Sequence, residues 1–70
     1  MPDGWHVDHQ EPYDELRGGN FIPGKMVWYV IDQTGTVGKV FIPQNRYTYD
    51  YVMEVVGNLA REEMRVEGLL

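Results

Sequence analysis

Two strand-like runs that are apolar on both sides, followed by enough chain for only one helix, constrain this protein more than any other feature of its sequence. Lys25 to Ile31 (KMVWYVI) and Thr36 to Ile42 (TVGKVFI) are rich in β-branched and aromatic residues. Between them, Asp32-Gln33-Thr34-Gly35 places Asp first and Gly last in a type I turn, so an antiparallel β-hairpin is predicted. With Gly35 left-handed in a bulged three-residue loop, Asp32 pairs with Thr36. That register sets Val30 opposite Gly38, Trp28 opposite Val40 and Met26 opposite Ile42 on one face. Val27, Tyr29, Ile31, Val37, Lys39 and Phe41 then occupy the other. A four-residue loop pairing Ile31 with Thr36 divides the side chains differently and still leaves both faces largely apolar.

Pro43 lacks a backbone donor and ends the second strand. After a short connection, Thr48 is suited to cap a helix, with Asp50 in the first turn facing the helix dipole and Tyr47 with Val52 at staple positions. From Tyr49 to about Glu67, Val52, Val55, Val56, Leu59 and Ala60 form one stripe at helical spacing. Gly57 interrupts the helix at a cost near 1 kcal/mol, which suggests close packing against another backbone. Glu63 projects into the stripe, where it either overruns the core into water or pairs with a cation such as Lys25 or Lys39. The fold class expected is α+β: a hairpin, with Phe21-Ile22 as an optional third strand, covered on one face by a C-terminal amphipathic helix.

One helix covers one sheet face. Leaving Val27, Ile31, Val37 and Phe41 in water forfeits about 1.5–3 kcal/mol for each, whereas a core of this size rarely nets more than about 3–5 kcal/mol in total. With no cysteine in 70 residues, no disulfide can offset the loss. The second face is therefore expected to meet a partner, either another copy of the chain or a different protein. The predicted contacts are Val27, Tyr29, Ile31, Val37, Lys39 and Phe41, joined by Tyr49 and Tyr51 beside the helix cap, since tyrosine supplies large contact area at interfaces.

Residues 1–20 mix Asp, Glu, His, Gly and Pro and show neither a two-residue nor a 3.6-residue apolar period. They read as an acidic flexible arm ending at Gly18-Gly19-Asn20, ahead of a small α+β domain over residues 21–70. No apolar run there is flanked by a basic stretch, and Met26 to Ile31 is far too short to span a bilayer. The expectation is a cytoplasmic protein without a membrane role. His6, Asp8 and His9 are weak candidate metal ligands in the arm, because imidazole and carboxylate lie close together but without evident rigid support. No metal site or cofactor is expected.

Net charge is −5, with the excess concentrated in the first 20 residues. Such a chain repels phosphate backbones on average. Trp28, Tyr29 and Phe41 near Lys25, Lys39 and Arg46 keep single-stranded nucleic acid as an alternative ligand. Gly19 to Lys25 has the spacing of a phosphate-binding loop, but Met26 offers no hydroxyl for Mg²⁺ and a strand follows instead of a helix. From residue 21 onward there is no Ser, Cys or His, and the threonines have turn, strand and cap roles. The chain is not expected to be an enzyme.

The run Gly38-Lys39-Val40-Phe41-Ile42-Pro43, followed by Tyr47-Thr48 and Val52 opening a helix, resembles short uncharacterised proteins of tailed-phage and prophage gene clusters. The resemblance spans residues 25–67. It implies a hairpin followed by a helix and a virion-assembly or host-modulating role, and it carries no catalytic residues.

Overall fold

The computed structural model describes residues 4–69, which form a three-stranded antiparallel sheet with one helix laid across it. Strand β1 runs Trp5–Arg17, β2 Asn20–Ile31 and β3 Val37–Pro43, in the spatial order β1-β2-β3. A single 3-10 turn at Gln44–Arg46 leads to helix α1, Tyr49–Val66. Among the described residues, no helix is long and apolar enough to cross a membrane.

The acidic segment expected as a flexible arm is instead β1, paired with β2 along its whole length. Its missing periodicity has two causes. The register shifts between Val7 and His9, so Asp8 forms a bulge, and a bulge reverses which residues face the helix. Trp5 and Val7 point towards α1 before it; Gln10, Pro12, Asp14 and Leu16 do so after it. In addition, the far end of the strand lies beyond the helix, where no apolar side chain is required. Gly18 and Gly19, at φ +54° and +82°, form the two-residue turn between Arg17 and its partner Asn20, the left-handed pair that suits a tight hairpin. Phe21 and Ile22 belong to β2 and do not form a strand of their own.

The β2–β3 hairpin takes the four-residue loop, which corrects the preferred register by one position. Ile31 N–H donates to Thr36 C=O at 2.8 Å, and Gly35 N–H donates back to Ile31 C=O at 2.8 Å, with Gly35 at φ +75°. Val30 therefore opposes Val37, Trp28 opposes Lys39 and Met26 opposes Phe41. A one-residue slip changes which residues of the two strands share a face. Val27, Tyr29 and Ile31, expected on the uncovered side, are buried under α1 at 0, 8 and 0% exposure.

The core joins these three to Trp5, Ile42, Val52, Val56, Ala60 and Met64. The buried helix stripe follows Val52, Val56, Ala60 and Met64, while Val55 is half-buried and Leu59 exposed. The stripe is rotated because Trp5 lies against Gly57, where an added Cβ would stand 3.1 Å from the indole Cζ2. The close approach at Gly57, expected from another backbone, is made instead by the Trp5 side chain of β1.

Thr48 caps α1 as expected, its Oγ1 accepting from Tyr51 N–H at 3.2 Å. The helix closes with Gly68 at φ +78° and with Leu69 N–H donating to Met64 C=O at 2.8 Å, which satisfies carbonyls left open by the last turn.

Candidate protein-interaction face

Among the described residues, nothing covers the sheet side opposite α1. Strand alternation places His9, Glu11, Tyr13 and Glu15 of β1 there, with Met26, Trp28 and Val30 of β2 and Val37, Lys39 and Phe41 of β3. The His9 ring stacks on Trp28 with centroids 4.4 Å apart and planes 11° from parallel. Tyr13 meets Phe41 edge-on at 6.0 Å. Phe41 also lies over Gly24, where a Cβ would stand 2.7 Å from its ring tip. These contacts leave Trp28 and Phe41 half-buried and Val37 61% exposed. The result is an apolar spine along β2 and β3.

Charge on this side is uneven across the sheet. Along β1, His9 Nδ1 lies 2.7 Å from Asp8 and its Nε2 3.7 Å from Glu11, while Glu15 pairs with Arg17 at 2.5 Å. His6 Nδ1 meets Asp32 at 2.5 Å. Along β3 stands Lys39, which makes no ion pair among the described residues. An acidic border thus lies on one edge strand and a single cation on the other.

Of the predicted contacts, Val37, Lys39 and Phe41 lie on this open face. Val27, Tyr29 and Ile31 are core residues and are unavailable to a partner. Tyr49 and Tyr51 lie on the helix side, Tyr49 at 77% exposure and Tyr51 half-buried with the Arg46 guanidinium 5.9 Å above its ring. Sequence reasoning missed His9 and Tyr13 as part of the face and assigned Met26, Trp28 and Val30 to the helix side. The signal overlooked was Gly18-Gly19, which reads as a hairpin turn once the preceding segment is allowed to be a strand. His9 contacts Asp8 while His6 contacts Asp32, and among the described residues no group of three or more His, Cys, Asp or Glu side chains is placed to hold a metal ion.

A second polar cluster ties α1 to the β2–β3 turn. Thr34 Oγ1 donates to Glu67 Oε1 at 3.0 Å and Thr36 Oγ1 to Glu67 Oε2 at 2.7 Å. The Thr36 hydroxyl is the main reason the Glu67 carboxyl titrates below its ordinary range. Glu63 is shifted upward, chiefly by its hydrogen bond to Glu67, then by desolvation and by the repulsion of that neighbour. Glu63 makes no ion pair with a cation among the described residues; it lies at the water-exposed end of the helix beside a second carboxylate, Glu67, which holds its carboxyl above the ordinary range. Burial, and secondarily Glu63, raise the Tyr29 phenol.

The two carboxyls act on stability in opposite directions. Glu67 stabilises the fold above its unfolded value, and that contribution is lost as pH falls through its depressed folded value. Glu63 contributes below its unfolded value, and that contribution is lost as pH rises through its raised folded value. At neutral pH Glu63 is the unfavourable member. Glu63→Gln keeps an N–H donor for Glu67 without the charge, so it is expected to raise the melting temperature at pH 7 and to change little in acid. Thermal melts across pH test this; a lower melting temperature for the variant at pH 7 would count against it.

Comparisons with protein-family models, with curated proteins and with solved structures found no match to this chain.

Proposed function

We propose that this chain is a non-enzymatic interaction and assembly module that associates with a second copy of itself through the open sheet face. The observation that supports this reading is the uncovered spine of Met26, Trp28, Val30, Val37 and Phe41 between borders of opposite charge. A two-fold axis parallel to the strands lays β1 of one copy over β3 of the other. Lys39 then faces the His9–Glu11 stretch of its partner, and Met26, Trp28 and Val30 of the two β2 strands meet at about the 10 Å spacing of packed sheets. Each large apolar side chain removed from water contributes about 1.5–3 kcal/mol, and the self-complementary charges fix the register. An assembly role is in keeping with the virion-assembly function that the phage resemblance implies.

Single-stranded nucleic acid is the competing ligand, since Trp28 and Phe41 could stack bases beside Lys39. Glu11, Glu15 and Asp32 around the face disfavour a phosphate backbone. Light scattering at micromolar concentration is expected to give a mass of at least twice 8.2 kDa per particle. Val37→Asp, at an exposed position outside the core, is expected to lower that mass without changing the circular dichroism spectrum. A wild-type monomer at high concentration would overturn the reading. Salt-sensitive quenching of tryptophan fluorescence by short oligonucleotides would favour the nucleic-acid alternative.

A further inference from the structure

Beyond the Gly24–Pro43 pair, β1 and β2 continue without β3 as a two-stranded arm to the Gly18-Gly19 turn. Near its tip, Leu16 and Phe21 are cross-strand partners on the helix side, 62 and 70% exposed. The chain also carries an open apolar cleft of about 230 Å³ on that side, between the arm's base and the start of α1. It is lined by Val7, Gln10, Tyr47, Tyr49, Val52 and Met53. Small-molecule pockets run to about 300–1,000 Å³, so the cleft better suits one or two side chains. The tip cannot fill its own cleft: six residues of extended strand separate Leu16 from Gln10, roughly 20 Å.

The charges beside these features are complementary. Asp14 stands on the helix side of the arm next to Leu16, by strand alternation. Beside the cleft, Lys25 Nζ lies 4.9 Å from the ring centroid of Tyr47, one of the cleft's lining residues. Neither Asp14 nor Lys25 takes part in an ion pair among the described residues.

We infer that the arm tip of one copy seats Leu16 and Phe21 in the cleft of a second copy, with Asp14 directed at that copy's Lys25, and receives the same contact in return. Two arms crossing antiparallel place each tip on the other's base, so one two-fold axis satisfies both clefts. This contact uses the side of the sheet opposite the open face and stands without it. Where both contacts form, which rests on the open-face reading, two-fold contacts alternate on opposite sides of the sheet without closing, and the chain builds an open row of subunits.

Four proteins separate the two contacts: wild type, Val37→Asp, Phe21→Asp and the double variant, each checked by circular dichroism for an unchanged fold. Masses by light scattering are expected to exceed a dimer and grow with concentration for wild type. Each single variant is expected at twice 8.2 kDa and the double variant at 8.2 kDa. Leu16→Asp is expected to reproduce Phe21→Asp, and Asp14→Lys in the Val37→Asp background should shift the dimer towards monomer. A monomeric Val37→Asp overturns the arm contact and leaves the open face standing. A monomeric Phe21→Asp supports the arm contact and overturns the open face. A double variant that remains dimeric overturns the arm contact.

Discussion

Gly38→Ala is expected to destabilise the domain by about 1–3 kcal/mol, the usual range for overpacking a tight site, and Gly38→Val is expected to leave little folded protein. Strand propensity alone argues the reverse, because glycine in a strand interior costs roughly 0.5–1 kcal/mol relative to alanine. The sign is decided by Tyr29, which lies directly across the ladder from Gly38 and folds its ring over that position. A methyl group at Gly38 would overlap the ring. Tyr29 cannot give way easily, being 8% exposed within the core that includes Val27 and Ile31. With a total stability of roughly 3–5 kcal/mol expected for so small a core, a loss of this size is visible in a single thermal or urea melt. Pairing Gly38→Ala with Tyr29→Val should return part of the loss, since neighbouring sites couple. An alanine variant as stable as wild type would show that the ring does not occupy the space above Gly38.

Trp5→Ala is expected to cost about 3–5 kcal/mol, the range for truncating a large buried aromatic residue. A flexible arm would lose nothing by the same change, so the measurement tests directly whether residues 5–17 belong to the fold. Trp5 pairs with Ile31, rests on Gly57 of α1 and is 8% exposed. Just before it, Gly4 C=O accepts from Asp32 N–H at 2.9 Å, closing the sheet at that end. Among the described residues the buried indole Nε1 has no partner, which costs about 1–3 kcal/mol. Trp5→Phe removes that unpaired donor along with some apolar area, so it is expected to be far milder than Trp5→Ala. Circular dichroism melts of the two variants check the order; a Trp5→Ala protein that melts with wild type would return β1 to the status of an arm.

These two residues also show where sequence reading succeeded and where it stopped. The Asp32 to Gly35 turn, the strand end at Pro43, the Thr48 cap and a helix from Tyr49 were legible because each depends on chemistry within a few residues. Gly57 was readable as a point of close approach, although not what approached it. The phase of β1 was hidden by the bulge at Asp8 and by the long stretch beyond the helix, where Glu11, Asp14 and Glu15 meet no selection for apolar character. Val37, Lys39 and Phe41 were placed on the sheet side away from the helix, where they lie, but their neighbours Met26, Trp28 and Val30 on β2 were assigned to the helix side. The choice between a three- and a four-residue loop changes pairing by one position, and both options left two apolar faces.

Short-range rules were enough for the hairpin, the capped helix, the α+β class and the surplus of apolar surface over cover. They could not choose between Val27, Tyr29 and Ile31 on one side and Met26, Trp28 and Val30 on the other, since both sets are apolar and strand-forming. That choice came from long-range packing: Tyr29 fits only over a residue without a side chain, Trp5 fits only against Gly57, and both place the odd-numbered residues of β2 beneath the helix. The remaining side chains were left facing outward because a single helix is too narrow to cover a sheet twice.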